Sequence, residues 1–310
     1  MLKLAALVGP TAVGKTELSI RLAQKLRGEI VSCDSMQVYK GMNIGTAKAS
    51  SAELSRVPHH LIDIVEPDVA FTVADYQKLA QQEIKSITER GNIPILVGGT
   101  GLYYQAVVDE YDFFPMEAKE AVRSKWEYAY REKGIEYIYE QALLADREYV
   151  LKIGLNDKKR LIRVLEVYDL TGQAFSDFQT RNRFAYKLSA VGLFLARDQL
   201  YARIEERVDR MIADGLVDEV AELRENGYNL SLNSMKALGY QQIFGYLEGM
   251  LTWPETLQEI KRETRRFAKR QYTWFNKDKR IQWINVAEYP DSRALLKKMC
   301  DLVEGQLYSM

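Results

Sequence analysis

Cysteine and histidine are both scarce in this sequence, with two residues of each among 310. Cys33 and Cys300 are too few for a disulfide framework or for a thiolate metal site. We therefore expect a reducing, cytoplasmic setting. His59 and His60 have no clustered cysteines or carboxylates nearby in the sequence, so we interpret them as structural residues and not as metal ligands.

Net charge and long apolar runs are absent as well. The 43 basic side chains balance the 43 acidic ones, so bulk charge indicates no partner. No apolar run approaches the ~20 residues of a membrane span, and the first one is too short for a signal peptide. We expect no membrane contact and no obligate protein partner, which leaves a monomer as the simplest state.

What the sequence does contain is a complete phosphate-binding loop, GPTAVGKT, at residues 9–16. It follows a short apolar run and opens a helix-like stretch, which is the strand–loop–helix context that the motif requires. Backbone N–H groups of such a loop converge on phosphate oxygens at a helix N-terminus. Lys15 adds a positive charge, and Thr16 adds a hydroxyl suited to Mg²⁺. A phosphorylated small molecule is expected here, with ATP the usual occupant.

Alternating strand-like and helix-like runs predict the fold class. Candidate strands at 2–8, 29–32, 61–65 and 93–97 are interspersed with helical stretches, one of which opens with a Thr72–Asp75 capping box. This pattern predicts an α/β class: a P-loop NTPase-like parallel sheet covered by helices.

Strand signals vanish in the middle of the chain, where charged helical runs follow one another. These runs span 116–133, 135–144 and 157–171, and strand character returns at 188–196 and 281–286. We therefore predict a small all-helical domain at 112–187, inserted in a catalytic core formed by 1–111 and 188–310.

Polar residues follow two of the predicted strands. Asp34 ends the second strand, and the fourth runs into Gly98-Gly99-Thr100. Ligands of α/β sheets bind beyond the carboxyl ends of the strands, so both segments are expected near the phosphate loop. From the residues alone, Asp34 is a Mg²⁺ ligand, a general base or a helix cap. The glycines indicate either close approach to a ligand or a tight turn.

Two predicted helices carry rows of basic residues. Arg203, Arg207 and Arg210 share one face, which is either solvated or a clamp on an anionic leaving group. Nearer the C-terminus, few acids interrupt a second stripe, which favours a polyanionic partner over a merely soluble helix. That stripe comprises Arg262, Arg265, Arg266, Lys269 and Arg270.

Together these segments resemble the tRNA dimethylallyltransferases, or tRNA isopentenyltransferases, over essentially the whole chain. The chain lacks a Cys/His zinc-finger extension and so resembles the bacterial form. The matching stretches, in family order, are GPTAVGKT (9–16), DSMQVYKGMNIGTAK (34–48), PHHLIDI (58–64), VGGTGLY (97–103), NDKKRLIRVLEVY (156–168), RIEERVDRMIADGLVDEV (203–220), ALGYQQI (237–243) and TRRFAKRQYTW (264–274).

The resemblance implies transfer of a dimethylallyl group from dimethylallyl diphosphate to N⁶ of the adenosine 3′ of the tRNA anticodon (tRNA position 37). The loop would hold a diphosphate leaving group, with Mg²⁺ at Thr16. Asp34 would be the general base, Arg207 would stabilise the leaving group, and Thr100 would act on the tRNA side. The implied diphosphate-binding residues are Gly9, Pro10, Thr11, Ala12, Val13, Gly14, Lys15 and Thr16.

The resemblance also implies a grip on the anticodon stem-loop by the helical insertion and the basic helix. The implied tRNA-binding residues are Asp34, Ser35, Met36, Gln37, Thr100, Arg123, Lys159, Arg160, Leu161, Ile162, Arg163, Lys269, Arg270, Gln271 and Trp274. Three alternatives stay open. They are a P-loop small-molecule kinase, a prenyltransferase acting on free adenylate, and a non-catalytic nucleotide-dependent RNA-binding protein.

Overall fold

The computed structural model describes residues 1–111, 113, 120–178 and 181–308. Within them, six strands form one parallel sheet in the order β3-β2-β4-β1-β5-β6. The strands are β1 (Leu2–Val8), β2 (Gly28–Cys33), β3 (His59–His60), β4 (Ile93–Gly98), β5 (Tyr186–Phe194) and β6 (Ile281–Asn285). The predicted α/β class is confirmed.

Helices surround this sheet and also form a separate unit. Among the described residues, no helix has the length and apolarity to cross a membrane. The helices are α1 (Lys15–Leu26), α2 (Ser51–Leu54), α3 (Val73–Glu89), α4 (Gly101–Val108), α5 (Glu120–Ala145), α6 (Arg147–Ile153), α7 (Lys158–Thr171), α8 (Arg197–Ala213), α9 (Leu216–Glu225), α10 (Tyr240–Leu247), α11 (Trp253–Phe275) and α12 (Ser292–Tyr308).

The central strand β1 is apolar throughout because both of its faces are covered. Ala5 and Leu7 lie in a core with α1, α8 and α12. Leu4, Ala6 and Val8 lie in a second core with α3 and α4. Alternate residues of one strand thus bind the two helical layers to the sheet, and the site lies where β1 ends.

A third core supports the loop after β2. Val38, Tyr39 and Met42 of that loop are buried against apolar residues of α8, α9, α10 and α11. This packing fixes a long connection that has little secondary structure of its own.

One predicted strand is wrong. Residues 61–65 were expected to form it, but the third strand is only His59–His60. Leu61 and Asp63 have φ values of 62° and 54°, in the left-handed region, which breaks a strand. The apolar run continues past the point where the backbone turns away from the sheet.

Contacts divide the described chain into two compact units, residues 1–108 with 183–310, and residues 109–182. The second unit contains α5, α6 and α7 around its own core, which includes Trp126 and Ile138. Gly134, with φ 81°, interrupts α5 between two of the helical runs expected from the sequence; residues 116–119 of the first run lie outside the described residues. The predicted domain limits, at 112 and 187, stay a prediction.

Candidate active site

The phosphate loop connects β1 to α1. Gly14, with φ 101°, precedes the first residue of α1 in a conformation that favours glycine. At Gly9, a Cβ would lie 2.6 Å from the carbonyl oxygen of Leu193, so the loop requires a residue without a side chain there. Val13 is fully buried in the core, so its side chain anchors the loop. The backbone is therefore built as the motif predicts.

Lys15 is folded onto its own loop. Its Nζ donates to the carbonyl oxygens of Gly9 at 2.9 Å and Pro10 at 2.8 Å. The side chain keeps some contact with solvent, yet burial, followed by the charge of Arg207, lowers the pKa of Lys15 to about 7. The surroundings thus disfavour the charged form of Lys15, and a bound anion would favour it.

The carboxylate of Asp34 lies in the loop that follows β2. Its Oδ1 accepts a hydrogen bond from the backbone N–H of Met36 at 2.9 Å. The charge of Asp34 raises the pKa values of both Lys15 and Arg207, so the three groups are close. The Asp34 loop is tied to the turn after β4, because the N–H of Ser35 donates to Oγ1 of Thr100 at 3.0 Å.

Gln37 has both ends of its amide engaged within the protein. Its Oε1 accepts from the hydroxyl of Ser32 at 3.1 Å, and its Nε2 donates to the carbonyl of Thr46 at 3.2 Å. Nearby, the carboxylate of Glu219 on α9 accepts from successive backbone N–H groups, including those of Asn43 and Ile44. These contacts hold the loop in shape. Glu219 lies in the stretch 203–220 that resembles the family, but the sequence alone assigned it no role.

Arg207 contributes the second cation, and its side chain is partly buried. It lines the cavity, and its guanidinium makes no ion pair within the part of the chain that the structure describes. Burial lowers the pKa of Arg207, and the neighbouring Asp34 partly offsets that effect. Arg203, four residues earlier, instead donates to the carbonyl of Val13 at 3.4 Å. In the predicted arginine row, Arg203 therefore contacts the phosphate loop, whereas Arg207 lines the cavity.

A cavity of about 620 Å³ joins these groups, within the range of small-molecule sites. Thr11, Thr16, Asp34, Thr100 and Arg207 supply polar lining. Helices α8, α9 and α11 supply apolar lining, which includes Val208, Met211, Leu216, Ile260 and Phe267. The cavity therefore suits a ligand with an anionic head and a hydrocarbon part.

Comparisons with known proteins agree with this chemistry. A family model described as IPP transferase matches residues 37–278. The chain belongs to this family. It is 58% identical to the tRNA dimethylallyltransferase of Syntrophomonas wolfei over 99% of both chains, and 50% identical to that of Carboxydothermus hydrogenoformans over 91% of this chain and 92% of the relative.

Solved structures of the family have the same fold. The tRNA isopentenylpyrophosphate transferase of Bacillus halodurans is 41% identical, with a TM-score of 0.76, and the match covers 99% of this chain and 97% of that one. A eukaryotic dimethylallyltransferase acting on tRNA is 26% identical with a TM-score of 0.81, covering 96% and 78%. The predicted family, the P-loop-like fold and the assignment as a prenyltransferase enzyme are confirmed.

Within this IPP transferase family member, the residues of α11 implied for tRNA do not share one surface. Arg270 and Gln271 line the large cavity, whereas Lys269 lines a smaller one with Tyr201 and Tyr272. Trp274 packs against Gly101, where a Cβ would lie 2.1 Å from its ring. The segment that the family resemblance assigned to tRNA is thus divided among three environments.

The expectation that few acids interrupt the basic stripe of α11 is wrong. Arg262 pairs with Glu259 at 2.9 Å, and Arg266 pairs with Glu263 at 2.6 Å. Arg265 pairs with Glu205 of α8 at 2.7 Å. Carboxylates one turn away and on a neighbouring helix neutralise three of the five cations.

The helical unit carries the remaining residues implied for tRNA. Leu161 and Ile162 are buried in its core, so their side chains anchor α7. Arg163 bonds to Glu166 at 3.2 Å, and Arg123 lies 3.7 Å from the same carboxylate. Lys159 and Arg160 are exposed. The tRNA-binding roles of this set stay a prediction.

The donor set is compatible with Mg²⁺ that is held mainly by a substrate. No group of three or more His, Cys, Asp or Glu side chains suited to a metal occurs among the described residues. Thr16, at the start of α1, offers a hydroxyl to the cavity. Mg²⁺ commonly takes one or two protein oxygens, with phosphate oxygens and waters completing the shell. Such a site fits Thr16 together with a bound diphosphate.

Proposed function

We propose that this protein transfers the dimethylallyl group of dimethylallyl diphosphate to N⁶ of the adenosine 3′ of a tRNA anticodon, with diphosphate as the leaving group. The cavity carries this proposal, because one space joins a phosphate loop, a carboxylate and an apolar lining. A kinase acting on ATP has no evident need for that apolar lining.

Asp34 is the proposed general base. The adenine amine is a poor nucleophile because its lone pair is delocalised into the ring, so proton removal must accompany formation of the C–N bond. Asp34 lines the cavity and keeps one carboxylate oxygen, Oδ2, outside the hydrogen bond to Met36. That oxygen accepts the N⁶ proton in the proposed reaction.

The diphosphate gains negative charge as its bond to the allyl carbon breaks. Loop amides, Lys15 and Arg207 are preorganised to stabilise that charge. Lys15 leaves the carbonyls of its own loop and regains full charge beside the diphosphate. Mg²⁺, when bound at Thr16, neutralises further charge on the phosphate oxygens.

The RNA must present its base outside the stack. Anticodon loops are single-stranded, which lowers the free energy needed to expose a base. We assign the grip on the stem-loop to the exposed cations Lys159, Lys269 and Arg270. Arg160 is exposed as well, but it pairs with Asp157 at 3.4 Å. A tRNA substrate, together with two free cysteines, favours a cytoplasmic location.

A three-label experiment tests the proposal. The protein is incubated with dimethylallyl diphosphate labelled in its allyl group, ATP labelled in its γ-phosphate, and unmodified tRNA. We expect allyl label in tRNA and release of unlabelled diphosphate. Transfer of γ-phosphate to an acceptor would instead support a kinase, and binding without transfer would support an RNA-binding module. Replacing tRNA with free adenylate tests the remaining alternative.

A further inference from the structure

Gln271 lies on the cavity side of α11 and is 5% exposed, although its side chain is polar. Its Oε1 accepts from the backbone N–H of Thr11 at 2.8 Å, and its Nε2 donates to the carbonyl of Gly99 at 3.0 Å. One side chain thus joins the phosphate loop to the turn after β4. Both ends of the amide are satisfied, so it holds its two partners at a defined separation.

The amide of Gln271 packs closely against Gly99. A Cβ at Gly99 would lie 2.2 Å from Nε2 of Gln271, which no side chain tolerates without displacement. At Gly101, a Cβ would meet Trp274, which lies three residues after Gln271 on the same helix. Two glycines therefore allow α11 to approach the turn after β4 closely enough for the amide to reach both loops.

The same turn holds the loop of the proposed base. Thr100, next to Gly99, accepts the hydrogen bond from the N–H of Ser35, the residue after Asp34. A continuous connection therefore runs from the phosphate loop through Gln271 and the β4 turn to the Asp34 loop.

We propose that Gln271 is a positioning residue for prenyl transfer, which sets the separation between the Asp34 loop and the phosphate loop. The inference rests on the proposed function for the roles of those loops. It differs from the tRNA contact implied by the family resemblance, because the polar atoms of Gln271 are already engaged within the protein.

A positioning role of Gln271 predicts a kinetic effect that a role in RNA binding would not produce. Small displacements of reacting groups reduce rates steeply, and a relaxed phosphate loop also binds its anion less well. Loss of the Gln271 amide should therefore affect diphosphate affinity and turnover together, while tRNA affinity stays unchanged.

The test compares Gln271→Met with Gln77→Met in the full-length protein. Gln77 is a matched control because it is also a buried glutamine, and its amide donates to the carbonyl of Ala106 at 2.7 Å, away from the cavity lining. For Gln271→Met we expect about tenfold weaker binding of inorganic diphosphate and about tenfold lower kcat. Affinity for an anticodon stem-loop should stay within about twofold. Gln77→Met should lower the melting temperature and leave these three quantities unchanged.

Gly99→Ala approaches the same contact from the other side, since it displaces the amide while keeping the glutamine. It should reproduce the pattern of Gln271→Met, and it serves as the test if Gln271→Met fails to fold. The proposal is overturned if the folded variants keep wild-type diphosphate affinity and kcat, or if only stem-loop affinity falls. A wild-type protein that binds diphosphate but transfers no allyl group to tRNA would refute the proposed function instead.

Discussion

The amino and carboxyl ends of the strands, here called the amino edge and the carboxyl edge of the sheet, hold charged side chains in opposite ways. At the amino edge, Glu29 at the start of β2 accepts hydrogen bonds from Arg90 at 2.6 Å and Asn92 at 2.7 Å, and it contacts His60 at 2.7 Å. At the carboxyl edge, Lys15 bonds only neutral carbonyls and Arg207 makes no ion pair among the described residues. Removal of one partner from a buried pair is destabilising, so the charges at the amino edge belong to the fold. The unpaired charges at the carboxyl edge are typical of a ligand site.

The largest effect is expected where the carboxyl edge provides the base. Asp34→Asn keeps an oxygen that can accept from Met36, so the loop should hold its shape, but the amide cannot take a proton. We expect kcat to fall about a thousandfold with tRNA affinity nearly unchanged. Single-turnover transfer and a stem-loop binding titration measure the two quantities. Turnover near the wild-type value would remove Asp34 from the role of base.

Arg207→Gln should have the next largest effect, because it removes one of the two unpaired cations. We expect kcat to fall about a hundredfold. The pKa of Lys15 should rise above about 7, since the charge of Arg207 is one of the causes that lower it. Arg224→Gln is the control, as Arg224 already pairs with Glu248 at 2.7 Å. The pKa of Lys15 is measured by NMR of its labelled ammonium group. An unchanged pKa would mean that the charge of Arg207 does not act on Lys15.

At the amino edge, the same kind of change should affect stability and not catalysis. Glu29→Gln weakens charged hydrogen bonds, so we expect a loss of about 2 kcal/mol in the free energy of unfolding with kcat unchanged. Arg90 above all holds the pKa of Glu29 at about 2, below its ordinary value of 4.5. Its stabilising contribution is therefore complete above pH 4.5 and is lost as pH falls towards 2. Denaturant titrations across this range measure it.

The matched control for Glu29 is Glu89→Gln, because Glu89 is exposed and lies 3.9 Å from Lys85. Surface pairs of this kind contribute little, so its unfolding should be near wild type. If both variants lost equal stability, the amino edge would have no special role and the comparison between the two edges would fail.

Lys15 makes the carboxyl edge sensitive to pH. With a pKa of about 7, it loses its proton as pH rises through neutrality. Affinity for inorganic diphosphate should therefore fall by up to about tenfold per pH unit between pH 7.5 and 9. Lys15→Arg stays charged across that range, so the difference in slope between the two proteins isolates Lys15 from the ionisation of the ligand. Equal slopes would contradict the assigned pKa.

These two edges also show how far the sequence could lead. The phosphate loop and most strands were predictable because their signals are local: a glycine spacing, an apolar run or a capping box. The strand at 61–65 was predicted wrongly because the positive φ of Leu61 has no signature in side-chain type. Asp63 is of a type that adopts positive φ more often, but one aspartate does not by itself mark a turn. The hydrogen bond between Gln271 and Thr11 was not predictable because the two residues are 260 positions apart.

The sequence analysis did not predict the ion pairs of α11, for two different reasons. The pair between Arg266 and Glu263 has the ordinary spacing of one helical turn and could have been read from the sequence. The pair between Arg265 and Glu205 joins two helices, so only tertiary structure reveals it. A dense basic segment is therefore a weaker guide to RNA binding than the cations that stay unpaired once the chain is folded.

That distinction gives the smallest expected effect. Arg270 contacts the ring of Phe267 at 5.8 Å and makes no ion pair among the described residues, whereas Arg262 and Arg266 are neutralised. Arg270→Ala should weaken stem-loop binding about fivefold and reduce the salt dependence by about one counterion. Arg262→Ala and Arg266→Ala should each change affinity less than about twofold. Equal salt slopes in all three variants would mean that RNA opens the ion pairs, so pairing in the free protein would not mark which cations bind.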